Sequence, residues 1–292
     1  MGRADQLLGR RNLLRNRCYR ATLIGGSSAG CRCSGLWRLE NFNSASTKIP
    51  SAIHVHCVVC CSMACYLDDK SLCHHIIMRS IAFFSSKGGS GKSTLSIHIA
   101  VAASQQHQVV LIDCDPQGTV TAWAAKRERP SPSVIRADPS SIARMLDHHR
   151  AAGFAVAVLD CPPHAAAGTS MLLAAADHVV VPVQPTAPDL AATQRALAML
   201  KACGRPCSFV LSRAPVRAPE IEQTKGILGA LGPLAPMSIS DRRIYARALI
   251  QSSAVTEIVR DDNKAAEEIH AYWRWLDNQT KEMKPWRREQ AA

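Results

Sequence analysis

The hydrophobic pattern divides the chain in two. Residues 1 to 77 show no sustained helical or strand periodicity, whereas from Met78 onward apolar runs alternate with amphipathic stretches. The runs SIAFF (80 to 84), QVVLID (108 to 113), FAVAVLD (154 to 160), DHVVVPV (177 to 183) and CSFVLS (207 to 212) are apolar on successive positions. Strands of that kind are covered on both faces, which implies a parallel sheet joined by right-handed crossovers. A helix is predicted from about residue 92 to 105, and further helical segments alternate with the other strands. The expected fold is α/β, a three-layer sandwich around a mainly parallel sheet. Ligands in such folds sit at the carboxyl ends of the strands, so the last residues of each strand carry the chemistry.

Composition adds bounds. A chain of 292 residues that is 47% apolar can bury a full core, which excludes disordered and collagen-like classes. A formal charge of +12 favours an acidic partner, either nucleic acid or an anionic membrane. No apolar run reaches the ~18 residues that span a bilayer.

Eight of the twelve cysteines precede Met78. The group Cys57, Cys60, Cys61, Cys65, Cys73, His74 and His75 offers zinc-ligating atoms but only one CxxC pair. The Arg-rich start also allows a cleaved targeting segment. A third reading is an unstructured leader, or a stretch translated from a start codon set too far upstream, and Met78 directly before the first strand supports it. The expected organisation is an N-terminal extension (1 to 77), an organised domain (78 to 278) and a basic tail (279 to 292).

The first strand runs into SSKGGSGKST. Gly88, Gly89 and Gly91 permit dihedrals that turn successive backbone N–H groups inward, and the following helix adds its positive end to that anion cradle. Lys92 is placed to reach β and γ phosphates, and the Ser93 hydroxyl to ligate Mg²⁺. The predicted nucleotide set is Lys87, Gly88, Gly89, Ser90, Gly91, Lys92, Ser93 and Thr94. An ordinary phosphate loop needs glycine at 86, where this chain has Ser86 followed by a second lysine.

The second strand ends in DCDPQG, where Asp113 and Asp115, two apart, are expected to face the same side. The third ends in LDCPP, with Asp160 placed to reach Mg²⁺ through water. Cys114, between the two acids, is read as a small packing residue, and Cys161 invites a redox reading that its place beside Asp160 disfavours.

Together KGGxGK[ST], DxDPQG and DCPP resemble the deviant Walker A ATPases of the ParA/MinD superfamily, P-loop NTPases in fold. The resemblance implies that Lys87 crosses a nucleotide-sandwich dimer to its partner's ATP. It implies that Asp115 orients the attacking water, making Lys87, Lys92 and Asp115 the catalytic set. Asp113 would support the metal's water shell beside Ser93 and Asp160, and Ser212 and Arg213 would contact adenine. The segment APMSISDRRIYARALIQSSAVTEI (235 to 258) resembles the small ParF-like partition ATPases. On its helix Arg243 and Arg247 share a face, with Arg242 nearby, and with Arg217 they are expected to grip DNA phosphates without sequence preference.

The implied function is a ParA-family ATPase that segregates plasmid or chromosomal DNA. ATP and Mg²⁺ assemble a homodimer, the dimer coats duplex DNA, and slow hydrolysis, stimulated by a centromere-bound ParB-like partner, releases it. The implied location is the cytoplasm, at the nucleoid. Two alternatives stand beside it: a MinD-like ATPase that positions on membranes, and a nucleotide-dependent scaffold in DNA transfer. The C-terminal Trp273, Trp275 and Trp286 bear on the first alternative. However, Ile269, Tyr272, Trp273 and Leu276 fall at helical spacing and are expected to pack on the sheet, and Pro285 interrupts the basic tail.

Overall fold

The computed structural model describes residues 78–163 and 168–281. The expectations for the N-terminal extension, its cysteine cluster, Pro285 and Trp286 lie outside the described residues. The elements run β1 Arg79–Phe83, α1 Lys92–Ser104, β2 Val109–Asp113, α2 Thr119–Ala124, β3 Ser133–Arg136, α3 Ile142–Ala151, β4 Val156–Asp160 and α4 Thr169–Ala175. They continue with β5 His178–Val183, α5 Ala187–Ala202, β6 Cys207–Ala214, α6 Glu220–Leu231, β7 Leu234–Ser240, α7 Arg243–Ile250, α8 Val255–Ile258 and α9 Lys264–Lys281.

The seven strands form one parallel sheet in the order β3-β2-β4-β1-β5-β6-β7. This is the α/β sandwich around a parallel sheet that the apolar runs predict. Successive residues of the central strands feed opposite layers, as strand pleating requires. Ile81, Phe83, Leu111 and Val158 face one core, and Ala82, Ile112, Ala157 and Leu159 face the other. The first core packs beneath α1, α8 and α9. Truncating a fully buried ring such as Phe83 there costs about 3–5 kcal/mol.

Helix α1 has almost no polar face because it lies between the sheet and α9, with ten of its thirteen residues buried. Ile269, Tyr272, Trp273 and Leu276 of α9 are buried, as their spacing predicts. That burial commits the apolar side of α9 to the protein's own core.

The two edge strands are additions to the predicted set. Strand β3 has four residues, none fully buried, and β7 carries an exposed Pro236 and loses register against β6. Edge strands are covered less fully than central ones, so neither reads as a continuous apolar run.

Register brings the chemistry to one edge. Phe83 of β1 and Asp113 of β2 both pair with Asp160 of β4, so three loops leave the sheet side by side. Chain direction diverges from β1, which sends β2 and β4 to one side and β5 to the other. The loop between β1 and α1 therefore occupies the switch point where such sheets bind ligands.

Candidate nucleotide site

The β1–α1 loop is held in shape from both sides. Gly89 and Gly91 take left-handed φ values of 80° and 90°, which a side chain at either position would strain. Gly91 is the N-cap of α1. From one side Gln184 Nε2 donates to Gly89 O at 2.7 Å, and from the other Ser212 Oγ donates to Ser90 O at 2.6 Å. Arg213 Nη1 adds a weaker bond to Gly89 O at 3.3 Å. Each peptide plane points its C=O and the next N–H in opposite directions. Tying the Gly89 and Ser90 carbonyls outward thus turns the Ser90 and Gly91 amides inward, toward an anion.

The loop floors a cavity of about 780 Å³. Gly88, Gly91, Lys92, Ser93, Thr94 and Asp115 line its phosphate end, while Ser212, Arg213, Asp241 and Arg243 line the other. Lys92 is 6% exposed, and burial lowers its pKa against the pull of Asp160 and then Asp115. Asp160 is fully buried, and its carboxyl is pushed up to about 7, first by burial and also by Asp113 and Asp115. The nearby Ser93 hydroxyl and Lys92 oppose that rise.

Apart from the Ser93 hydroxyl beside it, Asp160 has no hydrogen-bond partner for its carboxyl oxygens. A buried carboxylate with no partner but a serine hydroxyl is the donor set that a hard cation takes. The residues present therefore fit Mg²⁺, with Ser93 and Asp160 as the groups that would hold it.

The two acids of DCDPQG part company. Asp115 lines the cavity, its Oδ1 accepting from the Gln117 amide at 2.9 Å. Asp113 instead accepts from the amide and hydroxyl of Thr121 at 2.7 and 2.6 Å and from the Asp115 amide at 3.2 Å. The expectation that both face the phosphates is thus corrected. Asp115 lies beyond the end of β2, where strand alternation no longer applies, and Asp113 pins α2 to the loop.

Lys87 does not line the cavity its own loop floors. Its Nζ pairs with Asp189 Oδ2 at 2.6 Å, at the start of α5. Asp189 is 3% exposed and accepts a second bond at 2.6 Å from Thr186, the N-cap of α5. Ser86 fastens the same stretch by donating to Ala192 O at 2.5 Å. Sequence reasoning did not single out Asp189, although TAPD (186 to 189) carries the Thr-x-x-acid pattern of a helix start.

The arginines separate in the same way. Arg243, Arg247 and Arg217 are exposed. Arg242 is instead bonded through Nε and Nη2 to Glu268 at 3.0 and 2.8 Å, in a network with Tyr245 and Ser240. Arg242 thus ties α7 to α9, a correction to its expected place on the DNA-facing surface. Cys114 and Cys161 are buried free thiols whose pKa burial raises, consistent with packing residues.

Residues 81–232 match the family model described as the CobQ/CobB/MinD/ParA nucleotide binding domain. The chain belongs to this family. Within it, the chain is 26% identical over 201 residues to maintenance of carboxysome distribution protein A of Halothiobacillus neapolitanus, covering 65% of this chain and 93% of that one. It is 33% identical over 115 residues to protein ParA of Rhizobium radiobacter, covering 38% of this chain and 51% of that one. Among solved structures, the septum site-determining protein MinD of Pyrococcus horikoshii, complexed with Mg-ADP, superposes with a TM-score of 0.58 at 16% identity. That match covers 70% of this chain and 97% of MinD. The ATP complex of a single-residue variant of Cyanothece McdA gives 0.56 at 16% identity, covering 72% and 99%. Both show the family's fold. Among the described residues, no helix is long and apolar enough to cross a membrane.

Proposed function

We propose that this family member is a ParA-type ATPase that partitions DNA. ATP and Mg²⁺ occupy the cavity, with Ser93 and Asp160 holding the cation, Lys92 meeting the phosphates and Asp115 orienting the attacking water. The bound cation withdraws charge from the phosphates. Two nucleotide-loaded chains then face one another, and Lys87 of each reaches the other's phosphates. The dimer binds duplex DNA through Arg217, Arg243 and Arg247, and hydrolysis stimulated by a centromere-bound ParB-like partner releases it in the cytoplasm.

The observation that carries this reading is the position of Lys87. A phosphate-loop lysine turned out of its own cavity and held on a neighbouring helix is available to a phosphate outside its own subunit. A cation delivered that way relieves the charge of two facing nucleotides and makes dimerisation depend on them.

The test is binding of the full chain to random-sequence duplex DNA with ATP, with ADP and without nucleotide. Binding that requires ATP and weakens with salt supports the partition cycle. Absence of DNA binding in every state, with ATP-dependent binding to anionic liposomes, moves the protein to membrane positioning. The similarity to the carboxysome distribution protein favours a second reading, the same cycle moving a cargo other than a replicon. Stable inheritance of every replicon in a deletion strain would favour it.

A further inference from the structure

The Asp115 loop is connected to the arginine helix by contacts outside the nucleotide cavity. Helix α2 begins where that loop ends and is pinned to it by the Thr121–Asp113 bonds and by Gly118 N donating to Asp115 O at 2.9 Å. The far end of α2 grips the turn from Ser252 to Glu257, which closes α7 and opens α8. Trp123 Nε1 donates to Ser253 O at 3.2 Å. Arg127, stacked 4.7 Å over the Trp123 ring, donates to Ser252 O at 3.2 Å and forks onto Glu257 at 2.9 and 2.6 Å. The side chains of this ion pair are only 4% and 10% exposed, so its fork is shielded from solvent and fixed in direction. From the opposite side the Val255 amide donates to Nδ1 of buried His98, on α1, at 3.1 Å.

The gripped turn is itself strained. Ser252 has a φ of 50°, a left-handed conformation that residues other than glycine keep only when their surroundings impose it. Here the amides of Ser252 and Ser253 bond back to Leu249 and Ala248, and Arg127 takes the Ser252 carbonyl. None of Trp123, Arg127, Ser252 or Glu257 lines the cavity, whereas α7 borders it directly through Arg243, Tyr245, Leu249 and Ile250, so the clamp is a second connection between nucleotide site and helix. The contacts thus run without a break from the Asp115 loop through α2 and Arg127 to the turn that follows α7.

We propose that Arg127 and Glu257 are positioning residues that couple the Asp115 loop to α7, so that the bound nucleotide sets the placement of Arg243 and Arg247. The consequence for DNA rests on the function proposed above. The coupling itself does not.

The experiment is hydrogen–deuterium exchange on the full chain, with and without ATP and Mg²⁺, read at the amides of residues 252 to 255. In the wild type, ATP changes exchange there. In Arg127→Gln and in Glu257→Gln the change is lost, while ATP still protects the start of α1 and the β2 and β4 amides exchange as in the wild type. A purely structural ion pair predicts the reverse, faster exchange throughout with the ATP response kept. Arg127→Lys, which keeps the charge and loses the fork, serves if Arg127→Gln does not fold. The inference is overturned if the wild-type turn ignores ATP, or if the response survives in full in the variants. In DNA binding, the ratio of affinity with ATP to affinity with ADP falls toward one in the variants. A wild-type turn that answers ATP in a chain that binds no DNA would remove the partition reading and leave the coupling standing.

Discussion

Two lysines five residues apart, in the same loop, live in opposite surroundings. Lys92 is sealed beside Asp160 and Asp115 with its charged form disfavoured by burial, whereas the Lys87 side chain is 39% exposed and paired to Asp189. In the function proposed above, an arriving phosphate supplies the desolvated Lys92 with a counter-charge. Lys87 already has an anion, the buried Asp189, so only a stronger one can draw it away. The first half of the loop is thus tied to α5 and the second half enclosed beside the acids.

The largest expected effect breaks the enclosed half. Lys92→Ala should lower ATP affinity by roughly 10²-fold or more, measured by titration calorimetry, because a desolvated charge-assisted contact is lost. Affinity within tenfold of wild type would remove Lys92 from the site.

Next comes the tied half. Lys87→Ala should leave ATP binding to the monomer within about threefold of wild type, since the lost charge is partly solvated. ATP-dependent dimerisation should be abolished. Light scattering that still shows a dimer would collapse the contrast between the two lysines.

Asp160 sharpens the enclosed side through pH. Its carboxyl titrates near 7 in the fold against an ordinary 3.8, so the metal-free folded chain keeps a proton that the unfolded chain has released. Stability of the metal-free protein therefore falls as pH rises from about 4 to about 7. Mg²⁺ takes the deprotonated carboxylate, so the stabilisation it adds should grow across the same window. Asp160→Asn should flatten both slopes in thermal melts. His98 and His178, held neutral by burial with pKa near 4, contribute the opposite sign: their stability is present above about 6.5 and lost toward pH 4. The difference between wild type and Asp160→Asn isolates the carboxylate.

The smallest effect tests the tie to α5. Asp189→Asn should weaken the hold on Lys87 while keeping an acceptor for Thr186, and let the ATP dimer form at lower protein concentration. A dimer that forms less readily would mean that Asp189 serves the assembled state instead.

The parts legible in the sequence were those set by local rules. Five central strands fall within two residues of their apolar runs, because burial on both faces leaves a continuous signal. The loop and the Asp160 strand end were legible because glycine dihedrals and buried carboxylates are demanding. Partners fixed by tertiary packing were not: Asp189 meets Lys87 across 102 positions, and Arg242 meets Glu268 across 26. Spacing placed Arg243 and Arg247 on one exposed face but could not reveal that Arg242, one residue earlier, turns inward.

The borders of the sheet constrain how copies of this chain can accumulate. At one border β3 offers four residues, and at the other β7 presents Pro236, which has no N–H to give a neighbour. Among the described residues, both borders of the sheet thus disfavour growth by strand addition. Contacts between copies made by the described residues are therefore better served by helices and loops than by an added strand.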